Sequence, residues 1–259
     1  MTEAEAALLA SLPAYAFGFV LVLGRVGGAM MLLPGVGEAE LPVILRAGLA
    51  LAFDILLLPT LMQRLPHLPA DVAPCAAMVV AEVVTGVWLG WLARLTVQAL
   101  PLAGQIISYM LGLASVLQPD PALGGQSTAL ARLFSLAAPV MLLASGAYML
   151  PLGALAGSYE LIGPGSLLPA TDATETLVRV LTRAFALALQ LAAPFVLLSL
   201  VWQVMMGLLA RMVPRLQVYF AAQPAQILGG LALLGAIGAM LLSAWLQAVR
   251  DSFGHLPGM

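Results

Sequence analysis

Residues 216–249 contain no charged side chain. As a helix this stretch would extend about 50 Å, farther than the ~30 Å hydrocarbon core of a bilayer. Further uncharged runs, each near or above the roughly 20 residues that a spanning helix needs, occupy positions 6–24, 95–119, 133–159 and 184–210. One such run could be the core helix of a soluble protein, but their recurrence predicts a membrane protein.

The composition supports an all-α, polytopic membrane fold. Hydrophobic residues make up 62% of the chain and charged residues 8%, whereas about a quarter of the residues in a soluble domain are charged. We predict about six long hydrophobic helices, over residues 14–33, 47–62, 72–91, 130–155, 176–209 and 218–249. Proline and glycine clusters separate them and predict broken or kinked segments. No loop is long enough for a second domain, so one membrane domain is expected over residues 1–259.

Few residues are suited to catalysis. The chain has no lysine, which excludes a Walker A phosphate loop and a Schiff-base lysine. The two histidines, His67 and His255, lie far apart and lack metalloprotease spacing. The ten basic residues are scattered arginines, which form no basic patch for a nucleic acid. We therefore expect no enzyme, catalytic residue, metal site, cofactor or nucleic-acid partner.

Charges inside the apolar runs are more informative. Arg25, Asp54, Glu82 and Arg94 all lie in or beside predicted spans, where an isolated charge costs about 2.5–3.5 kcal/mol on insertion scales. Arg94 can extend toward the membrane surface from a helix end. One hypothesis is a proton or ion relay through Asp54 and Glu82. The other, which we favour, is a set of buried pairs that fix helix order, such as Arg25 with Asp54 or with Glu82.

Several short strings, spread along the chain, carry a resemblance to one known family. The first is the string Leu23-Gly24-Arg25-Val26-Gly27-Gly28-Ala29-Met30, followed by Pro34 and Leu41-Pro42. The middle of the chain adds Glu82-Val83-Val84-Thr85-Gly86, Gly104-Gln105-Ile106-Ile107-Ser108 and Gly112-Leu113-Ala114. Near the end, the string Ala210-Arg211-Met212-Val213-Pro214 is similar to the family's final loop. Together these strings resemble the FliR family of flagellar and type III export-gate proteins, over nearly the whole chain.

The resemblance implies a role. It implies a non-enzymatic subunit of a helical export gate in the bacterial inner membrane, within the flagellar basal body or a homologous secretion system. The gate would be built with FliP-like and FliQ-like subunits and an FlhB-like subunit, surrounded by lipid, and would pass unfolded substrates. It also implies a pore plug within residues 110–126, with the candidate residues Met110, Gly112, Leu113, Leu117, Pro119, Asp120, Pro121, Gly124 and Gly125. Candidate assembly residues are Arg25, Asp54, Glu82, Arg94, Arg211 and Pro214.

A second function remains open from the residues alone. Asp54 and Glu82 could couple protons to the movement of a small solute, as in a secondary transporter. The two functions differ in oligomeric behaviour. A transporter would act alone or with copies of itself, whereas a gate subunit would require different partner subunits.

Overall fold

The computed structural model describes residues 3–113, 128–212 and 218–259. These residues form α-helices joined by short turns, and no β-strand occurs within them. The helices are α1 (Glu3–Met30), α2 (Val43–Leu61), α3 (Val72–Val97), α4 (Ala99–Met110), α5 (Ala129–Ala144), α6 (Met149–Leu161), α7 (Ala170–Met212) and α8 (Val218–Phe253), with a 3₁₀ turn at Met62–Arg64 after α2. The predicted all-α fold is confirmed.

Five helical stretches in the described part of the chain are long and apolar enough to cross a membrane, and a broken helix pair raises the number to six. This agrees with the predicted number of spans. At 43 residues, α7 extends about 65 Å, roughly twice the thickness of the hydrocarbon core. Part of α7 must therefore lie outside the hydrocarbon if the helix runs along the membrane normal.

The predicted fourth span, residues 130–155, is not one helix but two. A turn at residues 145–148 separates α5 from α6. Gly146 has a φ of +72°, which a right-handed helix cannot contain, and Pro151 lacks the amide N–H that would continue an α-helical ladder across the turn. Arg250 Nη2 donates a 2.9 Å hydrogen bond to the Ser145 carbonyl at the turn. The break between α5 and α6 is therefore set by local sequence and stabilised by a hydrogen bond from Arg250.

The chain divides into two compact units. The first comprises residues 1–96, 142–180 and 250–259. Its apolar core joins α1, α2, α3 and α6 with the loop that follows α1. The core residues are Val22, Val26, Ala29, Met30, Leu33, Val36, Ala50, Leu61, Leu89, Leu155 and Tyr159.

Glycines allow α1 and α3 of the first unit to approach closely. A Cβ atom at Gly86 would overlap the backbone carbonyl of Arg25, and one at Gly90 would lie 2.6 Å from the carbonyl oxygen of Ala29. A Cβ atom at Gly28 would lie 2.8 Å from the Val83 oxygen. The small residues therefore face each other across the crossing, which is how helices associate closely in lipid.

The second unit comprises residues 97–141 and 181–249. Within it, α4 crosses α5 at Gly104, where an added Cβ would lie 2.8 Å from Phe134 Cδ2 and 3.1 Å from Ala131 Cα. One side of α4 is buried, including Ala103, Ile107 and Ser108. Up to its end at Met110, α4 is therefore helical and packed against protein along one side.

We expect Gly86→Ala to lower the free energy of unfolding by about 1–3 kcal/mol, because the added methyl group forces α1 and α3 apart. The matched control is Gly27→Ala in α1, where no atom lies within 4 Å of the added Cβ; it should be neutral or stabilising by up to ~1 kcal/mol. Thermal denaturation of the two variants in one detergent checks this. Equal midpoints would contradict the close crossing.

Candidate functional site

An ion pair lies at the centre of the first unit. The side chains of Arg25 on α1 and Glu82 on α3 are both fully buried. Arg25 Nε donates to Glu82 Oε2 at 2.7 Å, and Arg25 Nη2 donates to Glu82 Oε1 at 2.9 Å. This two-bond geometry is the strongest form of arginine–carboxylate contact. Gly86, one helical turn after Glu82, brings the two backbones close enough for it.

Further groups complete the hydrogen bonding of the pair. Arg25 Nη1 donates to Ser158 Oγ at 3.2 Å and to the Ile162 carbonyl at 3.0 Å. The guanidinium carbon lies 4.0 Å from the centre of the Tyr159 ring, a cation–π distance. The Gly165 amide donates to Glu82 Oε1 at 2.6 Å. We call Arg25, Glu82, Ser158, Tyr159 and these two backbone groups the buried cluster.

The buried cluster is arranged to hold helices together. A buried ion pair costs desolvation energy that only good geometry and additional hydrogen bonds repay, and Glu82 and Arg25 have both. Their partners come from α1, α3, α6 and the loop between α6 and α7. Ser158 itself donates to the Leu155 carbonyl at 2.7 Å, so its hydroxyl is engaged on both sides. Both Glu82 oxygens are thus occupied by donors of this chain.

Asp54 on α2 is arranged differently. Its side chain is fully buried, and neither carboxyl oxygen has a hydrogen-bond partner among residues 3–113, 128–212 and 218–259. Of the two partners considered for Arg25 from sequence, the structure selects Glu82 and not Asp54. Both acids are therefore buried, but within the described residues only Glu82 is hydrogen-bonded.

Arg94 is near the end of α3 and points to the loop between α1 and α2. Its Nη2 lies 3.4 Å from Glu38 Oε2, and its Nη1 donates to the Gly37 carbonyl at 3.3 Å. The pair is partly exposed, at 29% for Arg94 and 20% for Glu38. A basic side chain near a helix C-terminus is also favoured by the helix dipole.

Arg211 lies in the last turn of α7 and is exposed. Pro214 lies outside the described residues. Of the predicted plug residues, the structure describes Met110, Gly112 and Leu113. The other six, Leu117, Pro119, Asp120, Pro121, Gly124 and Gly125, also lie outside the described residues.

Amide side chains hold the backbone near both ends of the predicted plug segment. Met110 ends α4, and its carbonyl accepts a 2.9 Å hydrogen bond from Gln226 Nε2 on α8. Gly112 follows with a φ of +75°. At the other end, the Thr128 amide and hydroxyl both donate to Gln105 Oε1 of α4 at 3.3 Å. The Thr128 hydroxyl also accepts from the Ala131 amide at 3.3 Å, an N-cap contact that starts α5.

Sequence reasoning missed Ser158, Tyr159, Gly165, Gln226 and Thr128 as partners in these contacts. Only Thr128, a residue type that commonly precedes a helix, carried a local signal. Within the described part of the chain, no group of three or more His, Cys, Asp or Glu side chains could hold a metal ion. The contacts of these residues hold helices and loop backbone in place.

We expect Glu82→Gln to reduce the free energy of unfolding by about 3–5 kcal/mol, because the buried guanidinium of Arg25 loses its counter-charge. Asp54→Asn is the matched control, since it removes a buried acid of similar chemistry that makes no ion pair in the described structure. It should be neutral or stabilising. Denaturation of the purified variants in detergent checks both, and an equal loss for the two would contradict the special position of Glu82.

Comparison with known proteins gives the family. Residues 16–252 match the family described as bacterial export proteins, family 1. The flagellar biosynthetic protein FliR of Caulobacter vibrioides is 30% identical over 231 residues, which are 89% of this chain and 92% of that protein. FliR of Escherichia coli is 25% identical over 86% of this chain and 88% of its own length.

The Yop proteins translocation protein T of Yersinia pestis is 24% identical over 209 residues, which are 80% of each chain. The relatives thus include flagellar biosynthetic proteins and a Yop translocation protein, and the resemblance seen in the sequence strings is confirmed. The chain belongs to the FliR family of bacterial export proteins and is a membrane component of a type III secretion export system.

Proposed function

We propose that this chain is a non-enzymatic core subunit of a type III protein export gate in the bacterial inner membrane, in a flagellar basal body or a related secretion system. It forms the channel for unfolded substrates together with FliP-like and FliQ-like subunits and contacts an FlhB-like subunit. The whole chain, residues 1–259, acts as one functional domain in this assembly. Family membership supports this proposal, and the uncovered surfaces of the helices support it independently.

The observation that carries the proposal is an exposed stripe of small residues on α8. Only 11% of the most apolar stretch of α8 is buried. The stripe follows one helix face, at Ala225, Gly229, Ala232, Ala236, Ala239 and Ser243, all of them exposed. A Cβ added at Gly229 would have no atom within 4 Å. Because lipid gives apolar helices little reason to associate, close packing of small residues is a main source of helix association in membranes. The stripe therefore suits a partner helix.

A plug within residues 110–126 is the second part of the proposal. The left-handed backbone of Gly112 turns the chain away from the α4 axis directly after Leu111. Thr128 returns beside Gln105, about one and a half turns before the end of α4. The described ends therefore lie beside the same part of α4. Non-helical backbone at membrane depth is tolerated where protein buries it or where it lines a cavity, and a plug meets this condition.

One observation favours the transporter as an alternative. Asp54 is a buried acid without a hydrogen-bond partner in the described residues, and an ionisable group within a membrane is often functional. A relay of the kind considered from sequence also needs Glu82. Both oxygens of Glu82 are held by Arg25 and Gly165, so proton transfer through it would have to break the buried cluster. The export-gate function is therefore the stronger proposal.

Deleting residues 118–125 tests the plug. We expect the assembly with FliP-like and FliQ-like subunits to form at normal yield and to conduct small ions, because the pore loses its obstruction. Conductance of the purified complex in planar bilayers is the measurement. Replacing the same residues with a Gly–Ser sequence of equal length separates the loss of side chains from the shorter connection. A correctly assembled deletion complex that stays non-conducting would contradict the plug.

A further inference from the structure

The residues that follow α8 lie against α6. Residues 254–259, which we call the tail, belong with α6 to the first unit. The tail is a series of tight turns, in which the Leu256 amide donates to the Phe253 carbonyl at 3.1 Å and the Met259 amide donates to the Leu256 carbonyl at 3.2 Å. Phe253 and Leu256 are both buried. Apolar side chains therefore fix the tail where it leaves α8.

Backbone atoms of the tail and of α6 touch directly. A Cβ atom added at Gly157 of α6 would overlap the Gly258 carbonyl. A Cβ atom added at Gly258 would overlap the Ala154 carbonyl and lie 2.5 Å from the Ser158 amide nitrogen. Gly258 also has a φ of +97°, a conformation that residues with a Cβ atom rarely adopt. Position 258 therefore requires glycine both for space and for backbone conformation.

The part of α6 that touches the tail also holds Arg25. Ser158 Oγ accepts from Arg25 Nη1, and the Tyr159 ring packs on the guanidinium. The Ser158 carbonyl accepts a 2.9 Å hydrogen bond from the Ile162 amide, and the Ile162 carbonyl also accepts from Arg25 Nη1. The end of α6 thus lies in contact with both the tail and the buried cluster.

We infer that the tail positions the buried cluster. By packing against Gly157 and Ser158, it sets how closely the end of α6 approaches Arg25, and it thereby stabilises the hydrogen bonds around the guanidinium. Gly258 is a positioning residue that acts through Ser158. A tail that only covered α6 would stabilise the helix without any effect on Arg25. The coupling is a property of the fold of this chain and holds whether or not the chain serves an export gate.

A double-mutant cycle in the full-length chain tests the coupling. Gly258→Ala forces a methyl group against α6, and we expect the midpoint of thermal unfolding in detergent to fall by about 5 °C. In a Ser158→Ala background, Arg25 has already lost the Ser158 hydroxyl. The same substitution should there lower the midpoint by about half as much or less, because substitutions at coupled sites do not add.

Gly254→Ala is the matched control within the tail. The atoms nearest to its added Cβ lie at 3.5 and 3.8 Å, which are ordinary contact distances. This variant should shift the midpoint little, and by the same amount in both backgrounds. An equal fall for Gly258→Ala with and without Ser158→Ala would overturn the inference, because the tail would then stabilise α6 without acting on the cluster.

Hydrogen exchange covers the case in which Gly258→Ala does not fold. A coupling free energy belongs to the pair of sites and acts in both directions. Ser158→Ala should therefore open the tail more often and speed exchange of the Leu256 and Met259 amides severalfold. The control is Thr96→Ala, which removes a buried hydroxyl that donates to a carbonyl of its own helix at 3.1 Å; it should leave these amides unchanged. Unchanged exchange in Ser158→Ala would overturn the inference.

Discussion

The ion pair between Arg25 and Glu82, with its hydrogen-bond partners, joins three helices and a loop through fully buried polar groups. Hydrophobic surface gives little preference for one helix order inside a membrane, since lipid is as apolar as leucine. A buried guanidinium and carboxylate do favour one helix order, because either group left alone would cost several kcal/mol. Gly86 makes the pair possible by letting α3 approach the backbone of α1 at Arg25. The Ile162 carbonyl and the Gly165 amide then tie the loop after α6 to the same pair.

The helices of the second unit are held by weaker contacts, which are close approaches at glycines and single hydrogen bonds from amide side chains. Glycines set the approach of α4 to α5 at Gly104 and of Leu111 to α8 at Gly230. Single amide side chains, Gln105 and Gln226, bind the backbone on either side of the segment proposed as a plug. A fully buried ion pair holds helices more firmly than one hydrogen bond and one apolar contact do. The exposed small-residue stripe on α8 is the surface that we propose for partner subunits.

The sequence predicts the helices well because a long uncharged run has few alternatives in a membrane. It does not predict the turn at Gly146, since glycine is tolerated within apolar helices and only the backbone dihedral distinguishes the two cases. The sequence also does not show that Arg25 pairs with Glu82 and not with Asp54, because this depends on how α1 crosses α3. Ser158 and Gln226 contribute through contacts 133 and 116 residues distant in the chain, which no local pattern reveals. The family resemblance, carried by short strings spread along the chain, came from the sequence alone.

The proposed export gate requires this chain to work as one subunit among different partners. Purification of the chain from its native membrane in mild detergent, with mass spectrometry of the proteins that remain bound, tests it most directly. We expect a single large complex that contains FliP-like and FliQ-like subunits. A stable monomer or a homodimer, active by itself and without such partners, would overturn the export-gate function and favour the transporter.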